Sequence, residues 1–300
     1  MVAININRGT SGVSLPTSVS GQIWARTIQQ SAVMQAATQV PLPGNGTTVP
    51  MITANATASW TAESEEKAIS RPTIANKVLR GYTLSVIVPV SNQFRRDAGP
   101  LYDHLVERLP EALALKFDNT VFGVTAAPGS DFDTLATAPS VTVDATNTLA
   151  DLGAAYNAVA ANGGDLTAWL VSPALYGLLF TSTDAFGHQI FVPGGATDNQ
   201  LGTVLGAPVY KSRAGFIVDA GDDAGDDTGV AGDFKGSALW GQVEGVDISI
   251  AEQATLNDGG TLIHLWQRNM FAVRAEIEVG FRVRSVNDFV RITDGTVDVG

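Results

Sequence analysis

The chain has 300 residues, with 18 Lys and Arg against 30 Asp and Glu, a formal net charge of −12, three His and no Cys. At 45% hydrophobic and 16% charged residues it is too apolar for disorder and long enough for one large domain or two modest ones. The composition excludes disulfides, thiolate metal sites and cysteine nucleophiles, and an acidic chain without basic clusters gains little from counterion release on nucleic acid.

Residues 1–9 carry no apolar stretch of signal-peptide length. No run approaches the ~18 apolar residues of a membrane span; the nearest, 169–180, is broken by Ser172-Pro173. A soluble, unsecreted chain is expected. Its acidity is uneven. Residues 131–240 hold 13 Asp and no Glu against Lys211, Arg213 and Lys235, a net of −10, and the other 190 residues carry only −2. That contrast suggests an acidic domain inserted between the halves of a nearly neutral one.

In chain order, residues 1–14 are polar and rich in Gly, Ser and Thr, which reads as an extended arm. Leu15-Pro16-Thr17 opens a helical stretch running to Met34, and the Pro41 to Gly46 cluster stops it. Short β-type runs follow at 49–52 and 58–61, then a charged tip, Glu63-Ser64-Glu65-Glu66-Lys67. From Tyr82 the alternation is clean, with Leu84, Val86, Val88 and Val90 on the same face. Two β arms around the tip predict a long hairpin that no neighbouring segment covers.

Leu101, Leu105, Leu109, Leu113, Phe117 and Val121 then recur every four residues, predicting a long amphipathic helix closed by Gly123. Pro110 sits inside it, where a missing donor and a steric clash predict a kink or break. Within the acidic segment, a helix is expected at 148–161, a strand at 166–170 and a short helix at 173–179. Loop is expected across 187–206, then a strand at 208–210. The low-complexity stretch 219–227 reads as a solvated acidic loop. Finally Val273, Ala275, Ile277, Val279, Phe281 and Val283 alternate with Arg274, Glu276, Glu278, Arg282 and Arg284, a strand of roughly 40 Å.

Catalytic constellations are absent from this pattern. His104, His188 and His264 stand apart, with no partner at metal-ligand spacing. Residues 229–237 hold Gly and Lys at the wrong spacing for a phosphate loop, and no nucleophile elbow occurs. The Asp residues of 219–227 lack the spacing and closing Glu of a calcium loop. No catalytic, cofactor or metal site is therefore assigned, and the chain is not expected to be an enzyme.

The order of elements nevertheless resembles a known family. Trp60-Thr61-Ala62-Glu63 looks like a Trp–x–x–Glu passage in an extended loop, and Val90-Ser91 followed by Asp97 like the turn into a spine helix. Phe117-Asp118 through Phe122-Gly123 looks like that helix's end. Leu205-Gly206-Ala207-Pro208-Val209 and Gly232-Asp233-Phe234 are similar to two axial-domain motifs. In this order and spacing, across about 15–293, the chain resembles the major capsid proteins of tailed bacteriophages with the Hong Kong 97-type fold.

The resemblance implies an α+β protein divided as N-terminal arm and helix (1–40), extended β-hairpin loop (41–90), peripheral domain with spine helix (91–130 and 241–300) and axial domain (131–240). It implies a structural subunit that self-assembles into pentamers and hexamers of an icosahedral shell holding double-stranded DNA. Such a shell is assembled in the host cytoplasm and located in the virion. Implied partners are other copies of the chain, a portal protein, scaffolding or decoration proteins, and DNA through loose contact. Inter-subunit contacts are expected from Trp60, Glu63, Glu65, Glu66, Lys67, Arg71, Arg95 and Arg96. Some relatives join subunits by a Lys–Asn isopeptide bond, for which Lys67, Lys77 and Asn257 are the candidates. The rivals are an encapsulin-like compartment enclosing cargo enzymes and a β-rich carbohydrate-binding or surface-layer protein.

Overall fold

A computed structural model describes residues 27–28, 31–54, 56–92, 98–183, 188–189, 191–197, 200–216, 226–243 and 245–294. Its elements run α1 (Ala32–Ala36), β1 (Thr38–Pro41), β2 (Thr47–Ala54), β3 (Thr73–Leu79), β4 (Tyr82–Ser91) and α2 (Ala98–Val121). Next come β5 (Ser140–Thr142), α3 (Thr148–Ala161), β6 (Ala168–Val171), α4 (Pro173–Thr181), β7 (Val192–Thr197), β8 (Gln200–Val204) and β9 (Ala207–Lys211). The chain closes with β10 (Asp227–Gly232), β11 (Ala238–Gln242), β12 (Asp247–Ala251), β13 (Thr255–Asp258), β14 (Thr261–His264), β15 (Met270–Val283) and β16 (Phe289–Thr293).

β15 organises the first sheet. Its 14 residues pair antiparallel with β4 along one edge, and with β12 and then β11 along the other, while β1 adds parallel to β11. The expected alternation holds in its middle, where Val273, Ala275, Ile277 and Val279 are buried and Arg274 and Glu278 exposed. The helix α2 lies against this sheet, burying Leu109, Leu113, Phe117 and Val121 in one core with Phe271, Val273, Ile277 and Phe281. Where helix, sheet and the following loop meet, Phe117, Phe132 and Phe281 contact each other at centroid distances of 6.1–6.3 Å. Pro110 does not break α2, which is continuous from Ala98 to Val121. Leu109 beside the proline and Leu113, Phe117 and Val121 after it are buried, and this tertiary packing sustains the helix against a local penalty.

The second sheet runs β5-β16-β10-β6-β9-β8-β7 and carries α3 and α4 over a separate core built on Trp169, Leu152, Val209 and Ile292. Its second strand in sheet order, β16, comes from the C-terminal segment, so residues beyond 240 contribute to both sheets. The expected loop at 187–206 instead contains the hairpin strands β7 and β8. Gly and Pro within 192–197 hid the first strand from a pattern reading. Leu205 and Gly206 form the two-residue turn into β9 with φ of +48° and +80°, the left-handed pair that a tight hairpin demands. That is the physical content of the Leu-Gly dipeptide.

Three further expectations change. The expected second arm of the hairpin, from Tyr82, is not an arm at all: β2 pairs with β3, and β4 belongs to the first sheet. The β run at 58–61 is loop. Asp227, placed in the solvated acidic loop, is a buried strand residue whose carboxylate meets Arg291 at 3.1 Å. The arm at 1–14 and most of the 219–227 stretch lie outside the described residues. So does most of the 15–34 helix, of which 27–28 and Ala32–Ala36 are helical and Ser31 between them is extended.

Candidate assembly surface

The β2–β3 pair carries a projecting finger. Its ladder runs from Thr47↔Leu79 to Ala54↔Thr73, and beyond it residues 56–72 continue without regular structure. This loop bonds to itself. Ser70 Oγ accepts the Thr57 N–H at 2.8 Å across its neck, and a turn at the tip is closed by Glu65 N–H donating to Ala62 O at 3.2 Å. Trp60 is fully exposed, Ile69 is 83% exposed, and Glu63, Glu65, Glu66, Lys67 and Arg71 all face solvent. Large apolar side chains this exposed on a loop held only to itself mark a surface awaiting a partner.

The finger's root is fixed by a cluster that the sequence pattern did not single out. Arg282, expected on the polar face of β15, is 8% exposed. Its guanidinium donates to Asp133 Oδ1 at 2.7 Å, Asp131 Oδ1 at 2.8 Å, Ser130 O at 3.2 Å and, from β3, Val78 O at 2.8 Å. Lys77 Nζ donates to Val283 O at 2.7 Å and Asp133 Oδ2 at 3.3 Å. Arg80 stands 3.9 Å from Asp131. Two carboxylates from the loop after α2 therefore clamp three cations from β3, its following turn and β15. The backbone reinforces the clamp: a Cβ on Gly280 would stand 2.2 Å from Arg80 O. A strict polar/apolar alternation had put Arg282 in water, and only the fold brings Asp131 and Asp133 to it.

A second anchor joins the N-terminal segment to the long helix. Asp118, on α2, accepts from Ser31 Oγ at 2.6 Å and from the Ala32 N–H at 3.0 Å, at the start of α1. The carboxyl is fully buried, and desolvation pushes its pKa from 3.8 up to about 7 despite the lowering effect of the Ser31, Ala32 and Val33 bonds. Burial outweighs hydrogen bonding, and among the described residues no cation joins the set.

Of the crosslinking candidates, Lys67 is free at the finger's tip region, whereas Lys77 is engaged at the root by Asp133 and Val283. Asn257 lies on β13, its Oδ1 accepting from the Gly260 N–H at 2.9 Å within the β13–β14 turn. That hairpin, which the pattern reading missed, pairs only with itself among the described residues and presents Leu262, with Trp266 exposed just after it. Arg95 and Arg96 lie outside the described residues. Among the described residues no group of three His, Asp or Glu could hold a metal, and no helix is long and apolar enough to cross a membrane.

Comparison with known proteins gives one consistent result. A model described as the phage capsid family matches residues 11–294. The probable major capsid protein gp17 of Mycobacterium phage L5 is 28% identical over 286 residues, covering 88% of this chain and 84% of that protein. Its counterpart in Mycobacterium phage D29 is 25% identical, covering 90% and 87%. Among solved structures, one from Mycobacterium phage Adephagia superposes with a TM-score of 0.66 at 21% identity, covering 88% of this chain and 89% of its own. The capsid of an empty GTA particle superposes at 0.59 and 15% identity, covering 88% and 89%. With the Hong Kong 97-type arrangement of finger, long helix and two sheets in place, the chain belongs to the phage capsid family.

Proposed function

We propose that the chain is the major capsid subunit of a tailed bacteriophage, copies of which form pentamers and hexamers and close into an icosahedral shell around double-stranded DNA. The observation that carries this reading is the β2–β3 finger, rooted in the body by Arg282 and ending in an exposed Trp60 and Ile69 that none of the described residues covers. A monomer with such a finger exposes a hazard, and a lattice turns it into a contact. Many such contacts per subunit hold a shell together without any one being tight. The chain's place is the virion capsid. A portal protein, scaffolding or decoration proteins are the further partners this role requires, and packaged DNA touches an acidic protein only loosely.

The test is the size of the purified protein. Sedimentation and negative-stain imaging should find capsomers or megadalton shells. A monomer at every concentration and salt would refute the reading, and shells filled with protein cargo instead of DNA would favour the compartment rival.

A further inference from the structure

An apolar groove of about 210 Å³ opens between β4, α2 and the loop that follows the helix. Tyr82, Leu84, Phe117, Phe132 and Val279 form its walls, and Lys116 stands on its rim. That volume falls below the ~300–1,000 Å³ usual for small-molecule sites, so it suits a single large side chain better than a metabolite. Its walls are mainly aromatic and aliphatic, with Thr83, Thr120 and Thr125 among them, and the exposed Ala126 and Pro128 also line it. The Lys116 ammonium donates to Thr125 Oγ1 at 3.3 Å and meets no carboxylate among the described residues.

The finger offers the complement. Trp60 is fully exposed, so it does not fill the groove of its own chain. Within six residues of it stand Glu63, Glu65 and Glu66, all exposed. An aromatic anchor beside three carboxylates thus matches an apolar slot with a lysine on its rim, in shape class and in charge. Trp is the residue most often found as the dominant contact of an interface, where one ring buries ~150–250 Å².

We infer that the groove between β4 and α2 receives Trp60 of a neighbouring copy, with Lys116 facing that copy's Glu63, Glu65 and Glu66. The contact is heterologous: the finger of one copy engages the groove of the next, whose own finger stays free to continue the series. Repeated around an axis, such contacts close rings. The inference rests on the self-assembly reading and specifies which surface the finger binds.

The absence of cysteine makes a direct test possible, since any disulfide must come from introduced residues. Thr61→Cys beside the anchor and Ala126→Cys in the groove's lining both replace exposed residues. Oxidised assemblies of this double variant should give a ladder of covalent oligomers on denaturing gels. Adding Trp60→Ala should abolish the ladder and raise the concentration needed for assembly by roughly tenfold or more. Lys116→Glu should weaken assembly, and combining it with Glu63→Lys should restore part of the loss. Normal particles that stay uncrosslinked, or a disulfide formed only within single chains, would overturn the groove assignment and leave the self-assembly reading standing. Failure of the unmodified chain to assemble at all would overturn both.

Discussion

Two buried ionisable groups matter most at the scale of single residues. Asp118 keeps its proton in the folded chain up to about pH 7, while the unfolded chain loses it near the ordinary carboxylate value of 3.8. Between those limits the folded state binds the extra proton, so this group's contribution to stability falls as pH rises, by about 1.4 kcal/mol per unit, and is flat above about 7. Asp118→Asn should remove that slope. Urea midpoints measured from pH 5 to 8 for both proteins check it, and a slope that persists in the variant would assign it to other groups. Arg282 differs because its partners are charged. Replacing it with Ala strips the clamp and leaves Asp131 and Asp133 facing only Lys77 and Arg80, at an expected cost of about 3–5 kcal/mol by chemical denaturation. Neither residue announced itself in the sequence. Asp118 stood out only as a motif letter before a glycine, and Arg282 looked like one polar tooth of an alternating strand. Burial of a charge depends on which distant residues arrive beside it, and those partners lie about 87 and 150 positions away.

At the scale of elements, legibility followed the strength of the local period. The long helix and β15 were readable because their apolar residues repeat over many turns, and their positions hardly moved. The finger's second arm was misassigned because Tyr82 to Val90 alternates more clearly than Thr73 to Leu79, whose exposed Ile74 and Val78 blur the pattern. A strand in a two-stranded ribbon has no core face to enforce alternation. The same physics gives opposite signs to one substitution at two glycines. Gly280→Ala on β15 drives a Cβ against Arg80 O, and should destabilise by about 1–3 kcal/mol while loosening the finger's root. Gly177→Ala within α4 meets nothing within 4 Å and should stabilise by ~0.5–1 kcal/mol through helix propensity. Thermal melts of the two variants should move in opposite directions. A loss at Gly177 would mean that its open side is covered by another copy.

At the scale of the whole molecule, the charge that began as a mark of exclusion becomes a term in assembly. Each copy carries −12, with −10 of it in residues 131–240, the segment that supplies most of the second sheet. Copies brought together repel one another over distances set by ionic strength. The Debye length is ~30 Å at 0.01 M salt and ~8 Å at 0.15 M, so the repulsion between these acidic segments spans a subunit contact in the first condition and is largely screened in the second. The attractive contacts respond less. An apolar anchor is not weakened by salt, and an ion pair formed at contact range beside a partly desolvated slot is screened less than charges tens of ångströms apart. Repulsion therefore loses more than attraction as salt rises, and the concentration at which the protein assembles should fall between 0.01 and 0.15 M. Light scattering across a salt series checks this. Neutralising Asp222, Asp223 and Asp226 should flatten the dependence, whereas a threshold that climbs with salt would place ion pairs, and not apolar anchors, in control of the lattice.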